Sequence, residues 1–434
     1  MANSNWMPPA ELSREEIIKA SDEVLARPDI PIKVWEDIFT IQAVGTDWDI
    51  ACEIHEPIDG SRCPVGADGL KVGIFLLHGG MSDHRYMRPV ARLMAGKFGC
   101  KVVSMSFPGR CYLGNTSHDW PGDTINSDGT VRTPDWLRGL KITSEQYEVI
   151  QDRSDPKIRR KRGTVILAVA KEGTEFYYRM AGWPVAFELG GIEVCRRHLP
   201  EGEYTVYGHG RSTGGPFVNM LSQRIPNFGG IGAMENSPFG YIYAAMSGAY
   251  WNYPFNALAM RTWRDIARYR GPENGLEGAM RLPMLMEEVF EEWGHEKTYA
   301  QFKAEATIHT ANLQSLAEAA KAVARWLNLG AEETEALVKR YQGYTRELSG
   351  PDVKPVPPLL LGVAERSVDH NIPTYKKVVL PMYAAMNPAP KVSLVAYHAG
   401  THEYTNPEPG MPMGCGPATT KLWMEAITNG FYVT

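Results

Sequence analysis

At 434 residues, with 44% hydrophobic and 22% charged residues, the chain can bury a large core and has the composition of a globular protein. A net charge of -5 and a pI near 6.2 give no overall positive field, which argues against nucleic acid as a partner. The longest apolar runs, such as Gly73 to Leu77 and Val356 to Ala364, are too short to cross a bilayer.

The N-terminus lacks a charged start followed by an apolar stretch, so no membrane partner is expected and a cytoplasmic location is the default. The first thirty residues read as a helical arm. Ser13 and Glu16 form a capping box, and Ile17, Ile18, Val24 and Leu25 give a partly apolar face. Val34 to Ala43 and Trp48 to Glu56 follow as an antiparallel hairpin around Gly45-Thr46-Asp47. Lys71 to Leu77 is a continuous apolar strand of the kind buried on both faces in parallel sheets, and it ends in His78-Gly79-Gly80. A helix over Tyr86 to Phe98 and a strand over Lys101 to Phe107 come next.

From Cys111 to about Gly173 the sequence is irregular, with a basic run at Lys157 to Arg162 that reads as a solvated face. A helix over Glu175 to His198 leads into a strand at Tyr204 to Tyr207, a glycine-rich turn and a helix at Phe217 to Arg224. Ile231 to Met234 is a further buried strand, ending at Glu235. From about Phe239 to Leu348 the pattern turns helical. Aromatics and methionines crowd its first part, from Tyr241 to Trp263, as helical core or as the lining of a pocket. Strands return at Pro358 to Ala364 and Val392 to Tyr397, separated by a helix over Tyr375 to Met386, and a helix near Thr419 to Asn429 closes the chain. Strands alternating with helices predict an α/β fold with a mostly parallel sheet.

The chemistry centres on Gly210-Arg211-Ser212-Thr213-Gly214, a G-x-S-x-G pattern between a strand and a helix. A neutral serine hydroxyl needs a base, a group to orient that base, and donors for the oxyanion that develops. The base candidate is His402, in a Gly-Thr-His loop past the last strand, with His398 as its rival. Glu235, Glu365 and Asp369 each follow a strand and are candidates for the orienting acid. The oxyanion donors would be the backbone N–H groups of Gly80 and Thr213.

The glycine-rich turn lacks the lysine of a phosphate loop, and no dinucleotide fingerprint follows the first strand, so no cofactor is expected. The six cysteines are scattered, with no C-x-x-C pair or zinc spacing, and are expected as reduced thiols. His398 and His402 lack a third ligand, so no metal is expected either.

Together these residues resemble the α/β-hydrolase superfamily, over about Val34 to Ser237 and Pro355 to Gly430. Leu76 to Gly80 is similar to its oxyanion strand and turn, Ser104 to Arg110 to the next strand with its Pro-Gly turn, Gly210 to Gly214 to the nucleophile elbow, and Gly400 to His402 to the histidine loop. Ala233-Met234-Glu235 resembles the segment where haloalkane dehalogenases and some lactonases carry their acid, which favours Glu235. Asp369 resembles the more usual acid site and stays as the alternative. A serine at position 212, where dehalogenases have an aspartate, disfavours dehalogenase and epoxide-hydrolase chemistry. Two features depart from the family: Arg211 directly before the serine, a candidate either for binding an acidic group of the substrate or for packing alone, and the long insertion at 111–173.

The resemblance implies an α/β-hydrolase fold with an inserted helical cap. Its parts are an arm at 1–30, core at 31–238, cap at 239–350 and core at 351–434. It also implies a serine hydrolase in which Ser212, His402 and Glu235 cleave a carboxylic ester or lactone of an apolar or aromatic small molecule. Amide or carbon–carbon bond cleavage by the same residues, or ligand binding without turnover, are the alternatives. A homo-oligomer is left open.

Overall fold

The computed structural model describes residues 6–43, 46–79, 83–108, 145, 147–152, 166–170, 174, 183–212, 214–234, 317, 320–321, 324–342, 354–367, 372, 375–376, 380–384 and 388–433. Gly80, Thr213, Glu235, Asp369, the basic run at 157–162 and the aromatic stretch at 241–263 lie outside the described residues.

The strands are β1 (Glu11–Leu12), β2 (Ile32–Ala43), β3 (Thr46–Pro57), β4 (Lys71–Leu77), β5 (Lys101–Met105), β6 (Tyr147–Asp152), β7 (Ile166–Ala170), β8 (Tyr204–Gly210), β9 (Phe228–Met234), β10 (Leu359–Ala364) and β11 (Val392–Tyr397). The helices are α1 (Arg14–Leu25), α2 (Arg88–Phe98), α3 (Trp183–His198), α4 (Gly214–Ser222), α5 (Ala331–Gln342), α6 (Leu380–Ala384) and α7 (Gly416–Thr428).

Nine strands form one sheet in the order β1-β11-β10-β9-β8-β4-β5-β3-β2. Its β5-to-β11 part is parallel throughout, as is the β1 edge, whereas β3 is antiparallel to both β2 and β5. This is the mostly parallel α/β architecture that the sequence predicts. β4 and β8, the strands that carry the glycine-rich turns, sit in the middle. They run parallel in register from Lys71 opposite Tyr204 to Leu77 opposite Gly210, so both turns leave the sheet at the same level.

Strand β4 shows why its apolar run is continuous. Successive side chains point to opposite faces, and both faces are covered. Val72, Ile74 and Leu76 join a core with Ile17 of α1, Val90 and Met94 of α2, and Leu422 and Ala426 of α7. On the other face, α3 and α4 pack closely. A Cβ on Gly191 of α3 would sit 2.7 Å from Leu221 of α4. There Phe107, Phe187 and Phe217 meet, with ring centroids 5.0 to 5.9 Å apart. α2 ends where Gly99 takes a left-handed φ of 78°, a conformation in which a Cβ would be strained.

One sequence reading is extended and one is corrected. In the N-terminal helical arm, α1 has the expected capping box, Ile17 and Val24 are buried in the core, and β1 adds in parallel to the edge of the sheet beside β11. The stretch from Cys111 to Gly173 is not irregular throughout, because β6 and β7 pair antiparallel within it. Val149, Ile150, Ile166, Leu167 and Val169 carry the strand propensity. The surrounding Gly, Asp and Asn residues obscured that signal.

Candidate active site

The turn after β8 has the geometry that a serine elbow requires. Ser212 has φ 50°, and Asn328 is the one other non-glycine residue with positive φ among the described residues. A serine held there is strained, by roughly 1–3 kcal/mol, so the surrounding structure must impose it. The constraints are visible. Arg211 N–H donates to Leu77 O at 3.0 Å, Gly214 N–H to Arg211 O at 2.8 Å, and Gly215 N–H to Ser212 O at 3.0 Å. Gly210 and Gly214 are required by contact. A Cβ on Gly210 would collide with the Gly214 carbonyl, and one on Gly214 would lie 2.5 Å from Leu77 O and 2.6 Å from His78 O. Strand β8 and helix α4 can approach this closely only without side chains at those positions.

The turn after β4 lies against the serine. A Cβ on Gly79 would be 3.4 Å from Ser212 Cβ. His78 is fully buried, and its role is structural. Its Nε2 accepts from the Phe107 N–H at 3.2 Å, which leaves Nδ1–H to donate to Gly79 O at 2.6 Å. The imidazole thereby fixes the Gly79 carbonyl beside the elbow. Gly80 and Thr213, the two expected oxyanion donors, are outside the described residues, as are the acid candidates Glu235 and Asp369.

The histidine loop follows β11, and His402 is half-buried in it. The two residues after it reach the elbow segment. Glu403 forms an ion pair with Arg211, and the Tyr404 hydroxyl meets His209 Nε2 at 2.8 Å. Burial pushes the His209 pKa down to about 4, so the ring is neutral. Its Nδ1–H therefore donates to Gly232 O at 2.9 Å, and its Nε2 accepts from Tyr404. His398, the rival base, has its ring against Glu11 at 3.2 Å and Glu365 at 3.6 Å on the surface. Those same contacts account for Glu365, which is exposed.

Arg211 is the residue whose surroundings the sequence could not show. It is 6% exposed, and its guanidinium lies 4.4 Å over the ring of Tyr86, in the 3-10 turn His84–Met87 that precedes α2. The Tyr86 hydroxyl donates to Glu403, which Arg211 also holds. Burial pushes the Glu403 carboxyl up, but the charge of Arg211 and the hydrogen bonds from Tyr86 and Arg211 outweigh it, so the group titrates below its ordinary range. The charge of Arg211 is thus paired within the protein by Glu403.

Two other clusters have side-chain atoms close enough together to share a metal ion: Asp37, Cys52 and His198, and Glu36, Glu53 and His84. Both already have protein partners. Asp37 holds His198 at 2.9 Å, Glu36 holds Arg85 at 2.9 Å, and Glu53 pairs with Arg88 and His55. Burial pushes the Cys52 thiol up to about 12, so it is not a ready thiolate ligand. Cys52, Cys63, Cys100 and Cys195 are buried and outside disulfides.

A strained serine at the carboxyl end of a central parallel strand, beside the turn of the neighbouring strand and under a loop from the last one, defines the α/β-hydrolase fold. The chain has that fold. No protein-family model matches the sequence, and no curated protein matches it.

Several solved structures are similar. A lipase in an open form aligns at TM-score 0.40 and 12% identity, over 91% of this chain and 99% of its own. An esterase of Pyrococcus furiosus aligns at TM-score 0.36 and 11% identity, over 96% of each chain. An acylaminoacyl peptidase of Pyrococcus horikoshii aligns at TM-score 0.37 and 14% identity over 91% of this chain, which spans only 41% of the peptidase. Among the described residues, no helix is long and apolar enough to cross a membrane.

Proposed function

We propose that the protein is a serine hydrolase that cleaves a carboxylic ester or lactone of an apolar or aromatic small molecule through an acyl-enzyme. The observation that carries this reading is Ser212 at φ 50° on a turn that two glycines allow, with the loop of His402 tethered to the same turn. Ser212 Oγ attacks the carbonyl carbon while His402 takes its proton. The carbonyl oxygen becomes an oxyanion held by the N–H groups of Gly80 and Thr213. His402 then gives the proton to the leaving oxygen, and the acyl group stays on Ser212. Water, deprotonated by His402, attacks the acyl carbon; Ser212 Oγ leaves and takes the proton back from His402, and the acid is released. Glu235 orients the imidazole and balances its charge. An oxyanion donor of this kind is worth about 10²- to 10³-fold in turnover.

The substrate class rests on the aromatic and Met-rich stretch from Tyr241 to Trp263, which reads as part of a cap over the site.

The test is labelling by an aryl or alkyl fluorophosphonate, which reacts with an activated serine, followed by hydrolysis of a panel of aryl esters, lactones and anilides. The wild type should gain the mass of one phosphonyl group, and Ser212→Ala and His402→Ala should gain none. Equal labelling of Ser212→Ala, or none of the wild type, would sink the reading. Glu235→Ala should cost orders of magnitude in turnover and Asp369→Ala little. The reverse would move the acid to Asp369.

A further inference from the structure

The order of the strands poses a problem for the histidine loop. β11 is separated from β8 by β10 and β9. At about 4.8 Å per strand, the loop after β11 must reach back roughly 14 Å across the sheet to meet the elbow. No ladder of backbone hydrogen bonds joins β11 to β8, because the strands are not neighbours. Side chains of the loop make contacts to the elbow segment, Glu403 to Arg211 and Tyr404 to His209.

We propose that Arg211, Glu403 and Tyr86 form a latch that sets the position of His402 against Ser212, and that Arg211 is a positioning residue rather than a substrate anchor. This rests on the serine-hydrolase reading above. Arg211 precedes the nucleophile and Glu403 follows the base, so their ion pair joins the two catalytic segments one residue from each reacting side chain. Tyr86 completes the latch from a third element. Its hydroxyl donates to the second Glu403 oxygen, and its ring lies under the guanidinium.

Each part of Glu403 that faces inward is thereby occupied: Arg211 on Oε1, Tyr86 on Oε2. The pair is one-sidedly buried, with the Arg211 side chain 7% exposed and that of Glu403 42% exposed. A carboxylate on the buried guanidinium is needed, because an arginine left unpaired at that depth would carry a heavy desolvation cost. The His209–Tyr404 bond forms a second tether, from the adjacent turn of the same loop to β8.

The test uses Arg211→Met, Glu403→Gln, the double variant, Tyr86→Phe and Arg211→Lys in the full chain. Turnover is read on the best ester of the panel, and amide hydrogen exchange is followed over residues 400–406. A misplacement of about 1 Å costs on the order of 10²-fold in rate. Arg211→Met and Glu403→Gln should therefore lower kcat by about that factor with KM held, and the double variant should be no worse than either single variant, as expected when two residues act as one unit. Arg211→Lys should restore part of the rate, Tyr86→Phe should cost less, and exchange over 400–406 should speed up in Arg211→Met.

A rise in KM with kcat held would make Arg211 the substrate anchor and overturn the latch. So would additive losses in the double variant, or unchanged exchange over 400–406. Ser212→Ala separates the two readings. If it keeps full activity, the serine mechanism fails and the latch has no base to position. If it is inactive while Glu403→Gln retains wild-type kcat, the latch alone fails.

Discussion

The strain at Ser212 is a local property with neighbours that enforce it. A residue with positive φ would relax if the turn had room, and Gly210 and Gly214 remove that room by letting β8, α4 and the end of β4 close around it. Replacing Gly214 by alanine places a Cβ 2.5 Å from Leu77 O and 2.6 Å from His78 O, both backbone atoms that cannot swing aside. Overpacking of this kind costs about 1–3 kcal/mol. Gly214→Ala is therefore expected to lower the unfolding midpoint in urea and to abolish phosphonate labelling, because the backbone shift that accommodates the methyl moves Ser212. Gly60 has no atom within 4 Å of its hypothetical Cβ, and Gly60→Ala serves as the control, with little change in either measurement. The glycines of the elbow were legible in the sequence, because G-x-S-x-G names them. The partner of Arg211 was not, because Glu403 is far away along the chain and nothing local marks it.

At the scale of elements, the first helix carries more of the fold than its position suggests. Ser13 caps α1 by accepting from the Glu16 N–H at 3.3 Å, while Glu16 accepts from the Ser13 N–H at 2.8 Å. Loss of such a cap costs about 1 kcal/mol, so Ser13→Ala should reduce the unfolding free energy by about that amount. Ile17 is fully buried between α1 and the core, and Ile17→Ala should cost about 2–5 kcal/mol. If Ile17→Ala cost no more than Ser13→Ala in urea titrations, the burial of Ile17 would contribute little to stability.

The clearest elements to read were strands such as β4, buried on both faces, and β11; both fall on the residues the apolar runs mark. The β6–β7 hairpin was missed because short strands inside a polar insertion have no long-range pattern to set them off. The contribution of α1 was missed because an amphipathic face does not say what it will pack against.

At the scale of the molecule, acid sensitivity follows from groups buried where the central sheet meets its connections. His209 is neutral in the fold, with its pKa pushed down to about 4 by burial, against about 6.5 when exposed. The unfolded chain therefore binds a proton that the folded chain refuses between those two values. Stability contributed by His209 is fully present above about pH 6.5 and falls as pH drops towards 4. By pH 5 the loss from this group is about 2 kcal/mol. His209→Gln should flatten the fall between pH 7 and pH 5 in urea unfolding, and an equally steep fall in that variant would assign the effect elsewhere.

Glu53 acts in a lower window. Burial pushes its carboxyl up, but the hydrogen bonds and charges of His55 and Arg88 outweigh this and bring it to about 2. Its contribution is present above the ordinary value of 4.5 and is lost as pH falls towards 2. The two windows barely overlap, so the pH range of a loss identifies which group causes it.

The sequence by itself determined the central strands with their flanking helices, the serine turn and the mostly parallel sheet. These depend on local spacing: apolar runs, glycines at fixed offsets and the alternation of elements. Tertiary structure decided which turns meet. It set β4 beside β8 so that Gly79 lies against Ser212, and it folded the loop after β11 back over two strands so that Glu403 meets Arg211. Such contacts join residues far apart in the chain. They arise from strand order and from the need to pair a buried charge, and neither is written in any short stretch of sequence.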